Sequence, residues 1–187
     1  MGLVSRRGFL LSIGSGVAVS TVGASASATV VRSLSLPALV QGSRRIVVVT
    51  ALGAESHYEE LGRRRRIVTD TRLRVEEGIA KSDGLDRELM LRTLGGSIGD
   101  VGELVHGQAQ LVLGEPCVAF LLRGPDGLHY INGMAQGHYP LRGSGTRRLN
   151  SSADLPKILD FDSSAVKALV GSELGAASRR IRGLVSQ

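Results

Sequence analysis

Ser97, four histidines, one cysteine and a block of four arginines are the side chains here whose types and spacing can do chemistry. Ser97 lies in Gly95-Gly96-Ser97-Ile98-Gly99, the G-x-S-x-G form of a nucleophile elbow, with Asp100, His106, His129 and His138 downstream. An elbow also requires a helix directly after the serine and parallel strands beneath it. In a short chain without crossover helices, the glycines from Gly95 to Gly107 read instead as positive-φ turns of a long loop. For a metal, His106 and His138 are the natural pair, with Cys117 able to converge on them from a neighbouring strand. Neither H-E-x-x-H nor C-x-x-C occurs, and a loop-anchoring histidine with a buried thiol is the simpler account. G-x-G-x-x-G and the P-loop pattern are also missing from the sequence. No metal, no cofactor and no catalytic residue is therefore assigned.

Arg63-Arg64-Arg65-Arg66 is the sharpest charge feature. Four guanidinium forks at a hairpin tip suit a phosphate, a sulfate or an anionic head group. The competing account is a solvated edge whose charge discourages strand-to-strand aggregation. Glu55, Glu59 and Glu60 precede the block and can neutralise part of it across the hairpin. The ligand-binding candidates are thus Arg63, Arg64, Arg65 and Arg66 at the tip, and Ser97, Asp100 and His106 in the glycine loop.

The chain has 187 residues, 42% of them hydrophobic, which suits a globular core rather than disorder. Aromatics make up only 3%, too few for the stacking platforms of a single-stranded nucleic-acid groove. No nucleic-acid partner is expected. Cys117 is the single cysteine, so no intramolecular disulfide can form and packing alone must hold the fold.

The N-terminus reads as an address. Arg6 and Arg7 stand ahead of an uncharged run from Gly8 to Val31, which passes through Ala24-Ser25-Ala26-Ser27-Ala28. A basic start, a modest apolar stretch and an A-x-A ending describe an export signal, with cleavage after Ala26 or Ala28. The run is long enough for an uncleaved anchor, but its glycines and serines make it weakly apolar for one. Ser5-Arg6-Arg7-Gly8-Phe9-Leu10 resembles the bacterial twin-arginine consensus, with Leu11 where a lysine is usual. That resemblance implies recognition of Arg6 and Arg7 by the twin-arginine translocase and export of an already folded chain. The implied destination is the periplasm or the exterior, with membrane contact only through this segment before cleavage. Removing 28 of the 187 residues takes away two of the 23 basic residues and none of the 17 acids, leaving a mature charge near +4.

The elements that must position these groups follow from periodicity. Residues 29–44 are a lead-in, with Leu34, Leu36, Leu39 and Val40 spaced for a short docking helix around Pro37. Ile46 to Val49 is a β-branched buried strand. Ile67, Thr69, Thr71, Leu73 and Val75 alternate with Val68, Asp70, Arg72, Arg74 and Glu76, a strand with its odd positions inward. His57 to Arg66 reads as the connection between the two. Further strands are expected at Glu88 to Leu94, Cys117 to Leu122, Leu128 to Ile131 and His138 to Leu141, punctuated by Gly and Pro turns. Residues 143–161 read as a linker. Residues 162–187 read as a C-terminal helix, started by Asp162 or Ser163 and divided by glycines into what can be two pieces.

Ile46-Val47-Val48-Val49, the long alternating strand ending Arg74-Val75-Glu76-Glu77, and Leu113-Gly114-Glu115-Pro116-Cys117-Val118-Ala119-Phe120-Leu121 together resemble netrin-type domains. They also resemble uncharacterised secreted bacterial domains of the same pattern. The resemblance implies a fold and no active residue. The expected fold is mainly β: a small OB-like barrel of five to six strands over residues 45–142, with a C-terminal helix and a signal helix over residues 1–28. The expected function is non-enzymatic binding of a protein or an extended or anionic ligand in the cell envelope. The alternative is an exported hydrolase using Ser97 with a histidine, or a metal-dependent site at His106 and His138.

Overall fold

The computed structural model describes residues 30–82, 84 and 86–186. The expected signal helix, with Arg6, Arg7, Ala26 and Ala28, lies outside the described residues. The described chain opens with β1 (Val30–Arg32) and α1 (Leu36–Gly42). Ser35 caps α1 by accepting the Ala38 N–H, and Pro37 occupies the first turn, where its missing donor costs nothing. Leu36, Leu39 and Val40 are buried, as their spacing predicts. At the other end Lys81 donates to the carbonyls of Val40, Gln41 and Ser43 at 2.8, 3.1 and 2.9 Å, answering acceptors that the helix leaves open.

Two 17-residue antiparallel strands, β2 (Arg45–Leu61) and β3 (Arg64–Ala80), dominate the sheet. The connection is only Gly62-Arg63, because Leu61 pairs directly with Arg64. This corrects the expected connection over His57 to Arg66, most of which is strand. Gly62 takes φ +67 at the first central position, the place a tight two-residue hairpin reserves for glycine. The expected alternation holds at Thr71 and Leu73, which are buried, against exposed Arg72 and Arg74. It fails at Val68, which is buried beside Ile67.

The remaining strands are β4 (Glu88–Leu94), β5 (Gly96–Ile98), β6 (Val101–Glu103), β7 (Pro116–Arg123), β8 (His129–Ile131), β9 (His138–Arg142), β10 (Arg148–Leu149) and β11 (Lys157–Leu159). Seven of the strands form one sheet in the order β10-β9-β7-β2-β3-β4-β8. β8 pairs with two neighbours: parallel to β4 through Leu91 and His129, and antiparallel to β7. Two small sheets accompany it, β1 with β11 in parallel and β5 with β6 antiparallel. The fold is mainly β with a C-terminal helix.

Ile46 to Val49 are fully buried because both faces of β2 are covered. Val47 and Val49 join Leu73, Leu91, Ala119 and Leu121 in one core. Ile46 and Val48 turn the other way, into a second core with Phe120, Tyr139 and Leu149 beneath the helices. Phe120 and Tyr139 meet edge to face, ring centroids 5.9 Å apart. The stretch expected as a linker contributes β10, β11 and fully buried Leu149. The C-terminal helical region is two helices, α2 (Ala165–Leu169) and α3 (Leu174–Val185), with Gly171 between them at φ +83. Ser164 caps α2 by accepting the Lys167 N–H, whereas Asp162 and Ser163 sit in the preceding 3-10 turn. Among the described residues no helix is long and apolar enough to cross a membrane.

Candidate functional site

The outer half of the β2–β3 hairpin forms an arm carrying the arginine block. Arg63, Arg64 and Arg65 are exposed, and among the described residues none of them pairs with a carboxylate. Arg65 lies over the Tyr58 ring at 4.1 Å, a cation–π contact between facing strands. Arg66 differs. Its Nε donates to Glu103 Oε1, while Glu103 Oε2 accepts the Ile67 N–H at 2.8 Å. That N–H first, and then the guanidinium, hold the Glu103 carboxyl below the ordinary carboxylate range.

Glu59 faces Arg66 in the register but is not its ion-pair partner. It accepts from Arg92 Nη1 instead. Arg92, 13% exposed, also grips Asp70 with two bonds of 2.7 Å, which raise the basicity of its guanidinium further. Asp126 reaches within 4.0 Å of Arg92 and accepts the Tyr130 hydroxyl at 2.6 Å. Burial first, then this bond, pushes the Tyr130 phenol up to about 12. A single arginine thus ties β2, β3, β4 and the β7–β8 turn together and leaves the three tip arginines unneutralised.

The glycine loop folds back against the arm as the β5–β6 hairpin. Gly95 and Gly96 make this approach possible. At Gly96, with φ +137, a Cβ would lie 2.3 Å from Thr69 Oγ1 and 2.4 Å from Ser56 Oγ. The two hydroxyls are 2.9 Å apart, and Thr69 donates to the Gly95 carbonyl at 2.7 Å. Between the arm and the chain returning from β6 runs an open cleft of about 570 Å³. Ala54, Thr69, Thr71 and Thr93 line one side, and Leu104, Gln108, Gln110 and Leu111 line it from the returning segment.

Ser97 lies in β5 opposite Gly102, exposed at the lip of this cleft, and an antiparallel strand follows it. The strand-turn-helix of an elbow is not formed, and the described lining of the cleft contains no histidine. Asp100 occupies the exposed turn beyond Ser97. The structure gathers Ser97 and the Arg66–Glu103 pair near one cleft but leaves His106 elsewhere. His106 is 60% exposed and 4.0 Å from Asp154. His138 is buried, with Nδ1 3.0 Å from Ser152 Oγ, and burial lowers its imidazole to about 4. Burial raises the Cys117 thiol to about 12. Among the described residues no three His, Cys, Asp or Glu side chains gather to hold a metal ion.

Compared with known proteins, the chain matches no family model, no curated protein and no solved structure. What distinguishes the site is its own geometry. The residues missed in the sequence are Arg92, Asp70 and Glu103, which sort the charges of the arm, and the threonines that line the cleft. Thr69 and Thr71 did carry a signal: polar residues in the inward register of an alternating strand.

Proposed function

We propose that this chain is exported through the twin-arginine pathway. Its mature part is an OB-like barrel that binds a protein or an extended, anionic ligand in the cell envelope without chemical turnover. The barrel reading is supported by the pairings of β2, β3, β4, β8 and β7, which return to their starting strand, and by the core lying within that ring. Closure of this kind removes open edges from most of the sheet. On such barrels the first hairpin and the loops beside it carry recognition.

The observation that carries the binding reading is the set of exposed arginines at the arm tip, Arg63, Arg64 and Arg65. Among the described residues they have no acidic ion-pair partner, while their neighbour Arg66 has one. Arg66 and Arg92 hold the fold together; Arg63 and Arg64 are exposed and Arg65 rests on the Tyr58 ring, with no ion pair for any of the three among the described residues. Charge left unpaired on a fixed hairpin favours an anion through forked, charge-assisted bonds. The test is titration of the mature domain with inorganic polyphosphate. Replacing Arg63, Arg64 and Arg65 by Gln is expected to weaken binding by about tenfold or more and to flatten its salt dependence. Unchanged binding in that variant, with the fold intact, contradicts the assignment of the tip.

A further inference from the structure

We propose that the outer edge of β2, from Gly53 to Leu61, docks an extended, basic segment of a partner protein, which adds to the sheet as a further strand. The inference rests on the arm being a recognition element and adds, beside the anion at its tip, a protein ligand along its edge. Along these residues β2 pairs with β3 on one side and with no strand among the described residues on the other. The last backbone bond on that side joins the Gly114 N–H to the Ala51 carbonyl at 2.9 Å.

The register decides which groups stand free. Ile67 sends its N–H to Glu103 and accepts the Gly95 N–H, so its backbone points away from β2. In an antiparallel ladder this orientation repeats at every second residue. The β2 residues opposite Ile67, Thr69 and Thr71 are Tyr58, Ser56 and Ala54. Their N–H and C=O groups therefore face the open edge, and Glu60 follows in the same alternation. Four successive outward positions form a template for one more strand.

Side chains say what strand it is. The segment Leu52 to Leu61 holds Glu55, Glu59 and Glu60 and no lysine or arginine. Arg92 answers Glu59 and Glu60 stands opposite Arg65, while Glu55 stands directly opposite Asp70 and pairs with no cation among the described residues. On an added strand, the side chains facing Glu55 and Glu59 are favoured as Lys or Arg. The alternate ones point to the face of Ala54 and Ser56, beside the cleft and exposed Leu104, and are favoured as apolar or small. A second copy of this chain is the poorer occupant. Self-pairing centred on His57 sets Glu55 against Glu59 of the other molecule.

The probes are a short acetylated peptide alternating lysine with valine and threonine, and the same peptide with glutamate for lysine. Amide hydrogen exchange of the mature domain is the readout. The lysine peptide is expected to protect the amides of Ala54, Ser56, Tyr58 and Glu60, and the glutamate peptide to leave them exchanging freely. Tyr58→Pro removes one outward N–H and keeps the ladder to β3, since proline is tolerated on an edge. It is expected to weaken the lysine peptide about tenfold. Should that variant disturb the arm, Glu55→Lys keeps every backbone donor, changes the charge on the face that meets the lysines, and is expected to weaken the lysine peptide relative to the glutamate peptide. The proposal is overturned by equal binding of both peptides, by no protection at these four amides at millimolar peptide, or by protection that grows with protein concentration alone. Polyphosphate titration reads the tip and amide protection by the lysine peptide reads the edge, so failure of the edge and failure of the tip are read separately.

Discussion

Arg66 and its three neighbours show how position, not residue type, sets the role of a charge. Glu103 takes one guanidinium and the Ile67 N–H together, so Arg66 locks a hairpin in place. Arg63 and Arg64 remain exposed, and Arg65 lies over the Tyr58 ring. His138 shows the same rule for a titrating group. Its ring is buried, and burial lowers its pKa from 6.5 to about 4. Between those values the unfolded chain takes up a proton that the folded chain refuses, so stability falls as pH falls through the window. Above pH 6.5 both states are neutral at this position and it contributes no slope. The loss attributable to His138 approaches about 3 kcal/mol at the acid end of the window. Urea unfolding at several pH values checks this: His138→Gln is expected to lose that part of the acid sensitivity, whereas parallel pH profiles for the two proteins would contradict it. Sequence reasoning saw His138 as a metal candidate and as one of the histidines downstream of Ser97. Burial and the hydroxyl of Ser152, fourteen residues on, are properties of the fold that no local pattern records.

Among the elements, the arm and the β5–β6 hairpin depend on each other. The hairpin can approach β3 because Gly95 and Gly96 present no side chain to Glu103, Ser56 and Thr69. Gly96→Ala is therefore expected to cost about 1–3 kcal/mol, from overpacking and from the unfavourable φ together. The same change at Gly53, where a Cβ meets nothing within 4 Å, is the control. Equal melting temperatures for the two variants would show that the close approach does not matter. The strands with a buried face were legible: Glu88 to Leu94 is the residue range of β4, and Cys117 to Leu122 lies within β7. The outer half of β2 was not legible. With both faces largely solvated and glutamates at Glu55, Glu59 and Glu60, it has no apolar alternation and reads as a loop until its pairing with β3 is seen. β10 was missed for a different reason, since two residues carry no period and only the burial of Leu149 reveals their place.

At the scale of the whole molecule, two cores share one sheet. One lies among the paired strands, and the other lies under α1, α2 and α3. This double cover fixes the base of the hairpin while its outer half stays open, which suits a rigid scaffold presenting a recognition element. The helical face is the natural control surface, since its apolar stripe is consumed in packing. The account joins an exported chain to a binding arm, and site-specific photocrosslinking in living bacteria tests both together. The full chain carries the crosslinker at Arg64 or, as the control, at exposed Arg179, in cells with and without the twin-arginine translocase. The account predicts adducts in the envelope fraction from Arg64 alone, and their loss when the translocase is absent. Adducts from Arg179 equal to those from Arg64, or adducts that persist without the translocase, would contradict it.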